Sequence, residues 1–360
     1  MGREQSLPTA TGVPAPGATS LPTLPAETAT PRPLPTAEPS TYETEARLAV
    51  AEVPQRDLRL LAERLTGRGP IPEVVQLEPA SHQVGDEAEF WVGNVDSMEQ
   101  TRVTAVLEYV TDHLYMWVQK DLSFDRDALI RSAEVFETHI YPTTRAFFGS
   151  EWTPGVDSDP RLYILNASSQ LLGRSVAGYY SSSDQYSRLA NPYSNEHEMF
   201  YVAMDGGMRP GTEFYNGVLM HEFQHMIHWA ADRNEETWVN EGLSELAAHL
   251  GGFDPGGFDY DFMSNPDLQL NTWPELTDAS PHYGASYLFM LYLYGRFGPD
   301  LIREMVAHPG NGIRGLDAVL AGERLAFEEV FADWLVANYV QGARLDVDPV
   351  DPRYTYREPR

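Results

Sequence analysis

The 360-residue sequence contains no cysteine. That excludes disulfides, thiol nucleophiles and cysteine-ligated zinc. It leaves the compartment open, since secreted and envelope proteins can also be built without disulfides. Positive charge is scarce: 25 Lys and Arg stand against 53 Asp and Glu, for a net charge of −28. Binding to a phosphate backbone needs clustered cations, so no nucleic acid partner is expected. Most of the carboxylates are expected to form a solvated surface. No apolar run approaches the ~20 residues of a membrane span, so no transmembrane segment is expected. The start, MGREQSLPTATG, lacks the apolar core of a signal peptide. What is present is an apolar content of 42%, enough for a globular core.

Residues 1–41 are dense in Pro, Thr and Ala. Such a composition neither joins regular structure nor buries side chains, and it predicts a disordered tether. Leucines at helical spacing predict one helix from Tyr42 to about Arg68, stopped by Gly69-Pro70. From Val84 to Gln119 the density of Val, Tyr, Phe and Trp predicts a small antiparallel sheet. This N-terminal part, 42–122, is expected to pack on a main domain over 123–345.

The first half of that domain, 123–235, reads as mixed. It has a helix from Asp125 to Phe148 that Pro142 kinks or ends, and strands at 161–167, 177–181 and 198–204. A further helix runs from Thr212 to Ala231. The second half, 236–345, has a Gly- and Asp-rich loop at 251–262 and then helices near 283–297, 299–307, 315–320 and 326–340. Residues 346–360 form a polar, proline-broken tail. The fold class is α+β.

The chemistry is concentrated in His221 to Glu245, HEFQHMIHWAADRNEETWVNEGLSE. On the Thr212–Ala231 helix, Leu219, Phe223, Met226, Ile227 and Ala230 form one apolar stripe. His221 and His225 lie opposite it, one turn apart. The next helix is expected to begin near Asn240, with Leu243, Leu246, Ala247 and Leu250 as its stripe. Glu241 and Glu245 lie opposite, again one turn apart, each a candidate ligand or a group behind a ligand. The polar Asp232–Glu236 segment is the turn that lets the helices meet. Two imidazoles and a carboxylate so placed can hold a zinc ion and leave a position for water. The metzincin pattern fails, because its later Gly and His positions are His228 and Ala231 here. His228 is expected to be a helix-end or packing residue on the same side as the other two histidines. A second cation, Ca²⁺, is conceivable at Asp254, Asp259 and Asp261, though their spacing matches no standard loop.

HEFQH followed by WVNEGLSE resembles the gluzincin metallopeptidases, the thermolysin-like clan. The Trp-x-Asn-Glu-Gly form is shared with the aminopeptidase branch, and the HEFQHMI wording is closer to the hyicolysin-like bacterial peptidases. The resemblance rests on about 30 residues and does not extend to residues 1–160. It implies a zincin-like metallopeptidase domain with one catalytic Zn²⁺ held by His221, His225 and Glu241. Glu222 would be the general base for a metal-activated water and would return the proton to the leaving amine. Glu245 would hold a ligand histidine by its other ring nitrogen, and Asn240 would orient the other histidine. In this clan a Tyr or His donates to the oxyanion. Tyr283 is the first candidate here and His282 the second. The aminopeptidase branch has its tyrosine three residues before a Gly-Ala pair; before Gly284-Ala285 that place is Pro281.

The Gly-x-Met-Glu-Asn motif with which those aminopeptidases hold a free N-terminus has no counterpart here. The expectation is therefore a zinc-dependent endopeptidase acting on peptides or proteins. It would be bacterial, secreted or attached to the cell envelope. Its substrate would pair along an edge strand near Glu198 to Met204. Two alternatives stay open: an aminopeptidase of the same clan, and a non-catalytic surface protein with a structural metal site.

Overall fold

A computed structural model describes residues 43–49, 51, 56–67, 69–254, 256–274, 278–341 and 351–356. The tether expected over 1–41 lies outside the described residues, as does most of the tail expected over 346–360. The chain divides into two compact units, Met1–Pro54 and Gln55–Arg360. In the first, α1 (Glu43–Ala49) is a short helix whose residues 43–48 are exposed. In the second, α2 (Leu58–Thr66) starts at Asp57, whose carboxylate accepts the N–H groups of Arg59 and Leu60, and stops at left-handed Gly67. The single helix expected over 42–68 is therefore two, because the Asp57 cap begins a new one.

Strands β1 (Glu87–Gly93), β2 (Gln100–Val110) and β3 (Leu114–Gln119) pair antiparallel, as their alternation predicted. Helices α3 (Arg126–Val135) and α4 (Tyr141–Phe148) follow, joined by a π-helical turn at Phe136–Ile140. The kink expected at Pro142 takes this form: Tyr141 N–H reaches back to the Phe136 carbonyl, and Pro142 begins the next turn without an N–H of its own. Then come β4 (Leu162–Ala167), the single turn α5 (Ser169–Leu172), β5 (Gly178–Tyr180) and β6 (Met199–Ala203).

All six strands belong to one sheet, ordered β1-β2-β3-β4-β6-β5. The separate N-terminal sheet expected over 84–119 is thus corrected, since β3 continues in parallel into β4. The sequence reason is visible in β3, β4 and β6. Their runs LYMWV, LYILNA and MFYVA are buried at every residue, as strands covered on both faces must be.

The remaining described elements are mostly helical: α6 (Glu213–Ala231), α7 (Thr237–Leu250), α8 (Phe258–Ser264), α9 (Ser280–Phe297), α10 (Pro299–Ala307), α11 (Gly312–Leu320) and α12 (Phe327–Gln341). Helix α8 replaces the end of the loop expected over 251–262, from Phe258 on. Glycines and aspartates mask it in the sequence, but Phe262 is buried and stacks on Trp334, ring centroids 5.7 Å apart. Packing, rather than propensity, makes this helix. Among the described residues no helix is long and apolar enough to cross a membrane.

Two buried polar side chains fix α6 against the sheet. Asn166, in the middle of β4, donates to the Trp117 carbonyl of β3 at 3.0 Å and accepts from the Tyr215 hydroxyl of α6. Thr212 caps the helix by accepting Tyr215 N–H at 3.2 Å.

Buried carboxyls give the fold a pH signature. Burial pushes Asp184 up to about 6, although Asn195 N–H and the Tyr201 hydroxyl both donate to it. Burial likewise pushes Glu235 up to about 7. Both pKa values are raised above their unfolded values. Their stabilising contribution is therefore complete below the unfolded pKa and is lost as pH rises through about 6 and about 7. Melting at pH 5 is expected on the order of 5 °C above melting at pH 8, and Asp184→Asn should flatten the curve through pH 6. A melting temperature independent of pH across this range contradicts the assignment.

Candidate metal centre

Helix α6 places His221 and His225 on one side, with their ring centroids 4.7 Å apart. Helix α7 comes back across them. Trp238 anchors its start, buried against Phe289, with its indole N–H donating to Glu236 at 2.8 Å. Val239, Leu243, Leu246 and Ala247 are buried, which turns Asn240, Glu241, Ser244 and Glu245 toward α6. Gly242 permits the packing on the other side. A Cβ there would lie 2.8 Å from the Ser286 carbonyl oxygen of α9. Gly242→Ala is therefore expected to cost about 1–3 kcal/mol in stability by overpacking, and to weaken metal binding by shifting Glu241. Denaturation and metal titration of the variant check this.

The result is a small triangle of donor atoms. His221 Nε2 and His225 Nε2 are 3.0 Å apart, and Glu241 Oε2 lies 3.3 Å from the first and 3.4 Å from the second. The outer nitrogen of each ring is occupied. His225 Nδ1 donates to Asn240 Oδ1 at 3.0 Å and lies 3.0 Å from Ser244 Oγ. His221 Nδ1 faces Glu245 Oε1 at 3.2 Å. In the neutral rings that a metal requires, these partners put the proton on Nδ1 and leave both Nε2 lone pairs facing inward. Two lone pairs and a carboxylate oxygen converge with no hydrogen bond made to Glu241 Oε2, which is buried. Tetrahedral zinc with ligands at about 2.0–2.1 Å needs donor atoms about 3.3 Å apart. The three residues therefore form a group that could hold a metal ion, and they fit one of zinc's size.

The charges agree. Burial opposes ionisation of Glu241, but His225 and His221 hold its carboxyl well below the usual range. Burial opposes charge on His221, yet Glu245 and Glu241 raise its pKa well above the ordinary value. Glu222 is buried beside the triangle but outside it. Burial raises its pKa, while the two histidines and the Tyr180 backbone N–H act in the opposite direction.

The centre opens into a cleft of about 860 Å³. One wall is Val95, Asp96 and the Ser175–Gly178 segment leading into β5; the other is the α7 face, Asp254, Phe258 at the start of α8, and the start of α9. Tyr283 lines this cleft, 6.4 Å from His221 between ring centroids, stacked on Phe258 and edge-on to Trp273. Burial and then the charges of Glu241, Glu222 and Glu245 push its hydroxyl well above the ordinary range, so it stays protonated and can donate. His282 is not among the cleft-lining residues and packs on Trp273 at 6.0 Å. Its candidacy as a donor is corrected: one residue along a helix turns a side chain by about 100°. His228 is buried beside His225 and lowered to about 4, mainly by burial, so it stays neutral. Among the described residues, Asp254, Asp259 and Asp261 form no metal-holding group.

A second correction concerns the edge strand. Strand β6, expected to meet substrate, lies between β4 and β5 and has no free edge. The edge beside the cleft is β5. Gly178 brings it close, since a Cβ there would meet the Tyr201 carbonyl oxygen at 2.6 Å and Glu222 Cγ at 3.5 Å. The sequence reading also passed over Ser244 and Trp273. Ser244 could have been found, because it stands four residues after Asn240 on the same helix face.

Comparison with known proteins adds no relative: no protein-family model matches the chain, and no curated protein matches it.

Proposed function

We propose that this protein is a zinc-dependent endopeptidase of the gluzincin type, with a zincin-like catalytic domain. The observation that carries the reading is the Nε2–Nε2–Oε2 triangle, with sides of 3.0, 3.3 and 3.4 Å, set beside the uncommitted carboxylate Glu222 on a ligand-sized cleft. Two nitrogens and one oxygen are a catalytic zinc donor set; a structural site takes four protein ligands. His221, His225 and Glu241 would hold the ion, which when bound supplies polarisation of a peptide carbonyl and a more acidic water.

The chain's own residues do the rest. Glu245, Asn240 and Ser244 fix the ring orientation of the two histidines. Glu222, buried beside the donor triangle, takes a proton from the attacking water and delivers it to the leaving nitrogen. Tyr283 donates its hydroxyl hydrogen to the carbonyl oxygen as negative charge builds there. Strand β5 is the end strand of the sheet beside the cleft, and along it an extended peptide can be held by main-chain hydrogen bonds.

Tyr283→Phe is expected to lower kcat about 100-fold with metal content unchanged, the scale for loss of one oxyanion donor. Full activity in that variant removes Tyr283 from the mechanism. The deciding experiment for the reading as a whole is digestion of N-acetylated peptides by metal-loaded protein, with and without a chelator. A second reading, as an aminopeptidase, draws on the cleft carboxylates Asp96, Asp254 and Asp278, any of which could hold a protonated α-amine. Cleavage confined to peptides with a free N-terminus would favour it.

A further inference from the structure

We infer that the cleft selects polypeptides carrying lysine or arginine side chains near the cleaved bond, with Asp254 and Asp278 as specificity-determining residues. This rests on the endopeptidase reading and names the substrate class for that same cleft.

The inference starts from the makeup of the lining. Among the described residues, the ionisable side chains that line it, His221 and Tyr283 apart, are all carboxylates, and no lysine or arginine is among them. Two of the five, Glu222 and Glu245, belong to the metal centre. The other three serve no ligand of that centre. Asp96, on the sheet side, has its carboxylate taken up by Arg174 N–H and by Ser175, and the Arg174 charge acts on it as well. It is therefore a weak attractor.

Asp254 and Asp278 lie on the helical side, in the loop after α7 and the loop before α9. One Asp254 oxygen, Oδ1, accepts Gly256 N–H at 3.0 Å. Oδ1 of Asp278 accepts the Ser280 N–H at 3.0 Å and its hydroxyl at 2.6 Å, which keeps that carboxyl below its usual pKa. No arginine or lysine within ion-pair distance neutralises either one among the described residues.

A second, independent feature suits a long cation. Phe214, Phe258 and Trp273 line the same cleft. Phe214 and Phe258 both approach Gly256, beside Asp254, and Trp273 packs on Tyr283 beside the metal centre. Aromatic faces next to carboxylates accept both halves of a lysine or arginine side chain: the apolar stem by contact, the head by charge and by cation–π attraction. The net charge of −28 acts in the same sense at longer range, raising the encounter rate with cationic chains.

The test uses full-length protein and N-acetylated peptides that differ only in Lys, Gln or Glu at the positions flanking one bond. Acetylation removes the α-amine as an alternative cation. Cleavage is measured on wild type. Binding is measured by fluorescence anisotropy on Glu222→Gln, which removes one lining carboxylate at the metal centre and leaves Asp254 and Asp278 in place. An exposed carboxylate is worth about threefold and the pair about tenfold. The Lys peptide is therefore expected to be favoured about tenfold over the Gln peptide in both readouts. The preference should shrink when salt rises from 0.05 to 0.5 M, as the Debye length falls to about 4 Å, and should largely vanish in Asp254→Asn/Asp278→Asn. Equal binding of Lys, Gln and Glu peptides, absence of any peptide binding, or a preference that survives the double substitution overturns the inference. Selective binding of the Lys peptide without cleavage upholds the cleft's selectivity while sinking the endopeptidase reading.

Discussion

Glu222→Gln is expected to lower turnover by about 10²–10⁴-fold, the range for removing a positioned general base. Metal content should not change. Glu222 lies outside the donor triangle, and its neighbour contacts are the Tyr180 backbone and the charges of the two histidines. The fold should not suffer either. Glu222 is buried, and burial raises its pKa, so ionisation costs more in that place than in water. A neutral amide of the same shape removes that penalty, and the melting temperature of metal-loaded protein is expected to hold or rise slightly. This combination separates a base from a structural residue. Metal analysis, calorimetry and peptide cleavage on the same preparation decide it. Unchanged cleavage, or cleavage lost together with the metal, would sink the assignment and return the site to a structural role.

The parts of this centre that were legible in sequence are those built on helical repetition. His221 and His225, and Glu241 and Glu245, are pairs four residues apart, and such spacing brings side chains together wherever the helix packs. The apolar residues opposite them, Phe223, Ile227, Leu243 and Leu246, are fully buried, which fixes the direction in which the polar pairs face. What was not legible depended on partners distant in the chain. The strand β5 was expected over 177–181, but its edge role depends on strand order, which its three residues do not report, whereas the run MFYVA of β6 looked more prominent because it is an interior strand. The full burial of that run was itself a sign that no edge was free. Helix α8 was invisible for a related reason: Phe262 finds its partner Trp334 seventy-two positions away, and no local propensity reports on that contact. The choice between Tyr283 and His282 turned on one residue of helix phase, the quantity least determined by sequence when a helix start is uncertain. Sequence placed that start at Tyr283; the helix begins at Ser280.

Glu241→Ala and His225→Ala are each expected to abolish stoichiometric metal binding, with a larger effect than any substitution behind them. The reasoning is the count of donors. Three side chains supply the whole protein share of the centre, and removing one leaves a pair with no third donor within reach among the described residues. Loss of an orienting partner is milder. Asn240→Ala leaves Ser244 within 3.0 Å of His225 Nδ1, and Glu245→Gln keeps an acceptor for His221, so about 10–100-fold in metal affinity is expected for either. Affinity in the wild type should also fall as pH falls, because both imidazoles must shed a proton before they can act as ligands. Stability follows from linkage. A metal present at 1,000 times its dissociation constant adds about 4 kcal/mol, so a chelator should lower the melting temperature of the wild type on the order of 10 °C and leave Glu241→Ala unmoved. The measurements are metal-to-protein ratio by elemental analysis and melting with and without chelator. A Glu241→Ala protein that retains one metal per chain, or a wild type whose melting ignores the chelator, would show that the triangle of His221, His225 and Glu241 is not the metal site.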